Sequence, residues 1–472
     1  MKSSRRLSIL NSRPSKVRGG LKRARRDVHN LLFEIRHPRN FVIVSFLVLL
    51  ALSIAFRAKL RRYAYDSQRM NPELFDPSHN DPRSAFSEEA CNRKYDAAWS
   101  LLHNKNGHPA EKDAVDIAYF IQVGNDSVIL LERLFKRIHH PRNIYIVHID
   151  GKVSSTLRDG VAALVNNSEI YKKNIHIMES EMITYRAITM VMNTIAAMTI
   201  ALEKHSTWDY FINLSGADYP LVSVENQARL LARPRVPPGR LNFITFFPRK
   251  EWMSYSFRIR KLHWDPAIAR KQDPHARLYL LRGHGENPME SNRSFIFSKA
   301  EAWMILSRPF VKFLIRSSFA KRMLVYHKHV LSVPEHYFAD VLYNHPVWRK
   351  TIVPDALRKV VWYLHGHRSG QHPYVLDKGQ TLDTFWSSID TTRSLFTRKF
   401  SQPNSALMDR IDIELSGIRV NTSSPGFEKH AKQRHRFLES LVKHFDDITK
   451  KTLRDQGYSS PSSAYPKLST SN

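Results

Sequence analysis

The stretch from Trp208 to Leu221, WDYFINLSGADYPL, constrains this chain more than any other. Tyr210-Phe211-Ile212-Asn213-Leu214 is an aromatic and branched run that stops abruptly at Ser215-Gly216-Ala217-Asp218-Tyr219-Pro220. A short apolar run bounded by turn residues predicts a buried central strand that opens into a turn. In open α/β sheets the crevice beyond the carboxyl ends of such strands holds ligands, which makes Asp218 the first candidate site residue. A turn-capping carboxylate, bonded to its own backbone, accounts equally well for the same spacing.

The neighbouring sequence alternates in the same way. Ile117 to Val123 and Ile144 to Asp150 read as strands, and Val128 to Ile138 between them has apolar residues at helical spacing, completing a βαβ unit. A helix over Met190 to Leu202 precedes the Tyr210 strand. Short strands are expected at Leu241 to Phe246 and Ser294 to Phe297, and a helix at Ala300 to Arg316. The pattern predicts an α/β fold, a mixed sheet with helices on both faces, over residues 111–420. Residues 421–472 read as an appendage, a charged helix from Phe427 to Lys450 followed by a Ser, Pro and Thr tail.

Ahead of this body, residues 1–40 carry twelve Lys and Arg against only Asp27 and Glu34, a basic tail. Phe41 to Phe56 is sixteen residues without a charge, short for a bilayer but extendable by snorkelling Arg57, Lys59, Arg61 and Arg62. It is expected to be a single transmembrane signal anchor, with the larger basic count before it placing the tail in the cytoplasm and the body in the lumen. Residues 57–110, with Pro72, Pro77, Pro82 and Pro109, read as a stem. Five Asn-x-Ser sequons, at Asn125, Asn166, Asn213, Asn292 and Asn421, agree with a lumenal body, although Asn213 falls in the expected core strand. Cys91 is the only cysteine, which excludes an intramolecular disulfide and a cysteine metal site. A net charge of +30 raises nucleic acid as a partner. Part of that charge sits in the tail, no nucleic-acid-binding motif is present and the anchor conflicts with the idea, so no nucleic acid is expected.

Several segments can carry chemistry. His148-x-Asp150 ends the second strand, where a carboxylate can hold a nucleotide base or ribose or simply form the turn before Gly151. No glycine-rich phosphate loop occurs, which disfavours nicotinamide and P-loop chemistry. Ser332-Val333-Pro334-Glu335-His336-Tyr337-Phe338 presents Glu335 at the start of an expected helix, as a general base or as a partner of the helix dipole. Leu395-Phe396-Thr397-Arg398-Lys399-Phe400 sets two cations between aromatics, an arrangement that suits a diphosphate, or a solvated surface pair. Asp-x-Asp, the usual metal clamp of nucleotide-sugar enzymes, is absent from the chain. With a sugar-diphosphate donor, Lys399 and Arg398 would have to neutralise the leaving group instead.

Five blocks together, IYIVHID, ITYR, WDYFINLSGADYPL, SVPEHYF and LFTRKF, resemble the core-2/I-branching β-N-acetylglucosaminyltransferase and peptide O-xylosyltransferase family, glycosyltransferase family 14, in its plant-like branch. The resemblance implies a GT-A-type Rossmann-like fold and a type II Golgi membrane protein. It also implies a UDP-sugar donor, a glycan or glycoprotein acceptor, inversion, and no metal cofactor. It places Glu335 on the catalytic base and Lys399 on the lysine that contacts the donor diphosphate. Asp150 and His148 fall near the nucleotide, and Asp218 on an acidic position facing the site, the alternative base. Arg398 and Arg368 are the options for a second diphosphate ligand. Arg258 to Leu281, with Arg260, Lys261 and Trp264, falls on the acceptor side. The scarcity of cysteine departs from animal members, so acceptor-side loops cannot be stapled alike. The sugar stays open among GlcNAc, xylose and glucuronic acid. The competing reading is a membrane-anchored glycan-binding relative without turnover.

Overall fold

The structure is a computed structural model, and it describes residues 114–455 apart from short internal stretches at 206, 234–240, 248–256, 270–273, 276, 283–286, 288–295, 365–366, 371, 378–380 and 417–425. The expected tail, anchor and stem, the sequons Asn292 and Asn421, and residues 294–295 of the strand expected at Ser294 to Phe297 lie outside the described residues; Ile296 and Phe297 of that segment are not in a strand. Among the described residues, no helix is long and apolar enough to cross a membrane.

Seven strands form the main sheet, in the order β10-β6-β9-β4-β1-β2-β3. They are β1 (Ile117–Val123), β2 (Ile144–Ile149), β3 (Ile175–Ile177), β4 (Tyr210–Ser215), β6 (Asn242–Phe247), β9 (Lys299–Ser307) and β10 (Ile352–Val353). β3, β2, β1 and β4 run parallel, and β9 is antiparallel to both β4 and β6. The central strand, IAYFIQV, is apolar on both faces because both are covered. Ile117, Tyr119, Ile121 and Val123 pack with α1 (Leu131–Ile138) in one layer. Ala118 and Phe120 pack with α2 (Ile188–Lys204), α3 (Arg308–Arg316) and α4 (Tyr337–Asn344) in the other. The mixed α/β sheet with helices on both faces is thus present.

Two further elements depart from expectation. Residues 300–307, read as the first half of a helix, are strand β9, and the helix α3 begins only at Arg308. Ala300, Glu301, Ala302, Met304 and Leu306 are good helix formers, but the slot between β4 and β6 demands an extended chain, and tertiary pairing overrides propensity. The C-terminal helix α5 (Phe427–Asp455) is longer than expected and does not stand apart. Its Phe437, Leu438, Leu441 and Phe445 join the layer that holds β1, and the Phe445 ring stacks on Phe243 at 5.3 Å. Its sequence looks charged because only one stripe of a long helix is buried.

A second sheet of three strands, β11 (Arg358–Val360), β14 (Phe396–Arg398) and β5 (Asp218–Pro220), brings three distant parts of the chain together. Its register sets Arg398 opposite Asp218. Two short hairpins complete the strands: β7 (His263–Trp264) with β8 (Tyr279–Leu280), and β12 (Tyr363–Leu364) with β13 (His367–Arg368).

Candidate active site

β1 has β2 on one side and β4 on the other, so the connections leaving β1 and β4 diverge and open a crevice beyond their carboxyl ends. Gly216 makes that crevice possible. Its N–H donates to Gln122 O at 2.9 Å, and a Cβ there would stand 2.8 Å from Ser127 O, so the two strand exits touch only because it has no side chain. The resulting cleft has a volume of about 1770 Å³. Glu335, Asp150, His148, Arg398 and Lys399, from three separate sequence blocks, all line it.

Glu335 sits in a single 3-10 turn, Val333–Glu335, just ahead of α4. Its Oε2 accepts from Arg258 Nη1 at 2.6 Å and lies 3.6 Å from Lys299 Nζ, with 29% of the side chain exposed. Burial pushes its carboxyl upward, but the charges of Arg258 and Lys299 outweigh this and hold it below the ordinary carboxylate value. Lys299 is itself seated over the Phe247 ring at 3.9 Å. Behind Glu335, Ser332 and Arg186 both adopt left-handed backbone, with φ of 62° and 66°. The Arg186 side chain donates to Ser332 Oγ, and Val333 N donates to Arg186 O at 3.1 Å. Non-glycine residues keep such conformations only where the surroundings over-determine them.

Asp218 is placed otherwise than expected of a base. Its side chain is fully buried and accepts from Arg358 Nη1 at 3.2 Å, from the Ser215 backbone N–H, and stands 3.8 Å from Arg398 Nε. It is not among the residues lining the cleft. Arg358 also donates to Asn213 O at 2.9 Å, and burial pushes its guanidinium down to about 10 against the pull of Asp218. Both guanidinium groups lie over Trp303, Arg398 at 4.0 Å and Arg358 at 4.6 Å. β5 itself is anchored by Tyr219, whose hydroxyl donates to Asp412 Oδ1 at 2.8 Å and accepts from Arg133 Nε at 3.0 Å. Asp218 therefore orders a cationic platform from behind.

His148 is buried; burial lowers its pKa, and the neutral ring accepts from Glu181 N at 3.1 Å. Asp150 Oδ1 accepts from Lys152 N at 2.9 Å, which makes it both a turn former and a cleft residue. Arg260, Lys261 and Trp264 are exposed and off the cleft, whereas Arg258 of the same segment and Phe257 just before it line it. The side chain of Arg368 lies outside the described residues. Sequence reasoning missed Lys299, Glu301, Trp303 and Arg358. Glu301 and Trp303 fall in the segment read as helix, Lys299 lies just ahead of it, and Arg358 lies in a short strand with no motif around it. Asn213, noted only as a sequon, is buried, with its amide donating to Ala302 O at 2.7 Å and accepting from Met304 N at 2.9 Å.

Among the described residues no group of three or more His, Cys, Asp or Glu side chains is arranged to hold a metal ion. The cleft is instead lined by seven Lys and Arg against four Asp and Glu, an excess of positive charge that suits an anionic ligand.

Comparison with known proteins gives this site a class. The chain is 32% identical over 318 residues to the beta-glucuronosyltransferase GlcAT14A of Arabidopsis thaliana, covering 66% of each chain. It is 28% identical over 330 residues to GlcAT14C of the same plant, covering 68% of this chain and 79% of that one. Against xylosyltransferase 2 of Rattus norvegicus the identity is 25% over 321 residues, 66% of this chain and 35% of the other. These relatives are glycosyltransferases. The model of the Core-2/I-Branching enzyme family matches residues 117–381, and the chain belongs to that family.

Proposed function

We propose that this protein is an inverting glycosyltransferase of the GT-A type that transfers glucuronic acid from UDP-glucuronic acid to a hydroxyl of a glycan or glycoprotein. The reading rests above all on Glu335, a carboxylate kept ionised by Arg258 and Lys299 in a cleft that also holds Arg398 and Lys399. An ionised carboxylate can take the proton of an acceptor hydroxyl. The oxygen attacks the anomeric carbon from the face opposite UDP, and the diphosphate leaves toward Lys399 and Arg398, whose charges match the one that develops there. Trp303 and Asp218 keep Arg398 from reorganising as this happens. Cations in this arrangement can neutralise the leaving group without a divalent ion, and metal independence is part of the proposal.

The choice of glucuronic acid is favoured by the names of GlcAT14A and GlcAT14C and by the positive excess of the cleft, which accommodates a sugar carboxylate as well as a diphosphate. A Golgi location, with Phe41 to Phe56 as the anchor of a lumenal body, completes the proposal. Binding of UDP, UDP-glucuronic acid, UDP-xylose and UDP-N-acetylglucosamine in excess EDTA tests it. Tightest binding of UDP-glucuronic acid that survives chelation, with transfer to a glycan acceptor, is the expected result. Binding that vanishes with EDTA would end metal independence, and a different preferred sugar would end the choice of donor. Glycan binding without any UDP-sugar turnover would point to the non-catalytic relative.

A further inference from the structure

Glu301 is one of the four carboxylates lining the cleft, and the mechanism above does not use it. β9 pairs with β6 through Ile244 opposite Met304 and Phe246 opposite Ala300, so β9 carries extra residues between Ala300 and Met304. This bulge turns Glu301, Ala302 and Trp303 together into the cleft. Lys299, before the bulge, reaches Glu335 at 3.6 Å, while Trp303, at its end, carries Arg358 and Arg398. A strand advances about 3.3 Å per residue, so Glu301 stands no more than about 7 Å along the chain from either. The charges acting on Glu301 come from both ends. Burial raises its pKa, Arg358, Lys299 and Arg398 oppose the rise, and Glu335 adds to it. Its Oε2 is buried and has no hydrogen-bond partner.

In an in-line displacement the sugar ring must lie between the base and the departing diphosphate. The strand with the base contact at one end and the cationic platform at the other has Glu301 at its middle. We infer that Glu301 accepts hydrogen bonds from ring hydroxyls of the transferred sugar and is the residue that selects the donor sugar and orients it. A site built to bond a hydroxyl rejects analogues that lack or misplace it, because its buried polar atom is then left unmet. The inference rests on the UDP-sugar reading above and deepens it.

The full chain, wild type against Glu301→Ala and Glu301→Gln, is titrated with UDP, UDP-glucuronic acid, UDP-xylose and UDP-N-acetylglucosamine. Glu301→Ala is expected to bind UDP within about twofold of wild type, to bind the preferred UDP-sugar at least about tenfold more weakly, and to rank the sugars nearly alike. Glu301→Gln keeps an acceptor oxygen and is expected to restore much of the ranking. If Glu301→Ala does not fold, Glu301→Asp, which withdraws the carboxylate by one methylene, is judged by the same criteria. An unchanged ranking, or an equal loss for UDP and UDP-sugar, overturns the inference while the transferase reading stands. Wild type that binds none of the four overturns both.

Discussion

Glu335 and Asp218 are both carboxylates in motifs of the same family, and their surroundings differ. Glu335 is in the cleft and partly exposed, so replacing it with Gln should cost transfer about 10²- to 10⁴-fold while UDP binding is nearly unchanged. An active Glu335→Gln enzyme would send the search for the base elsewhere. Because its pKa is lowered, the base form is present at neutral pH and is lost only as pH falls through that lowered value. Arg258→Met removes the nearer cation and should move the acid limb of kcat/KM to higher pH; a limb that stays in place would show that Arg258 does not tune the base. Asp218 faces Arg358 in a dry environment. Asp218→Asn leaves a buried guanidinium without its counter-charge, which costs about 3–5 kcal/mol, so a large fall in Tm is expected. Full stability with selective loss of kcat would return Asp218 to the role of base.

At the scale of elements, the bulge in β9 does most to shape the site, and one side chain holds it. Asn213 satisfies Ala302 O and Met304 N where the ladder between β4 and β9 has lapsed. Asn213→Ala orphans both groups, at about 1–3 kcal/mol for each, and should lower Tm and activity together as Glu301 and Trp303 lose their aim. A variant with unaltered melting and turnover would mean that the bulge holds itself. None of this was legible in advance. Asn213 sits within an apolar run and matches a glycosylation sequon, and Ala300 to Leu306 has the composition of a helix. A bulge is set by two partner strands that lie far away in sequence, so no window around Glu301 contains its cause. The strands β1, β2 and β4, by contrast, were plain, because apolar residues on both faces of a short run have few other places to go.

Across the whole molecule, the C-terminal helix is the feature with the largest practical consequence. A fragment ending near residue 420 strips Phe437, Leu438, Leu441 and Phe445 from the core layer of β1 and should be recovered aggregated, whereas one reaching Asp455 should be soluble. Comparable melting of the two fragments would make the helix dispensable. Stability should also fall in acid. His336 and His345 are buried and pushed down to about 4, so between the unfolded value near 6.5 and that point the unfolded chain binds more protons. Tm is therefore expected to drop as pH is lowered from about 6.5 toward 4, and a flat profile would contradict their burial. The sequence by itself determined the α/β alternation and the strand that opens at Ser215, which follow from local periodicity, while the family resemblance implied that Glu335, Asp150, Arg398 and Lys399 share one site. Only the tertiary structure decided that Asp218 supports cations from behind, that Arg258, Lys299, Glu301 and Trp303 complete the cleft with Arg358 buried behind it, and that the last helix belongs to the core. Burial, ion pairing and strand register are properties of residues that meet in space, and the partners here lie tens to hundreds of positions apart, as Asp218 and Arg358 do at 140.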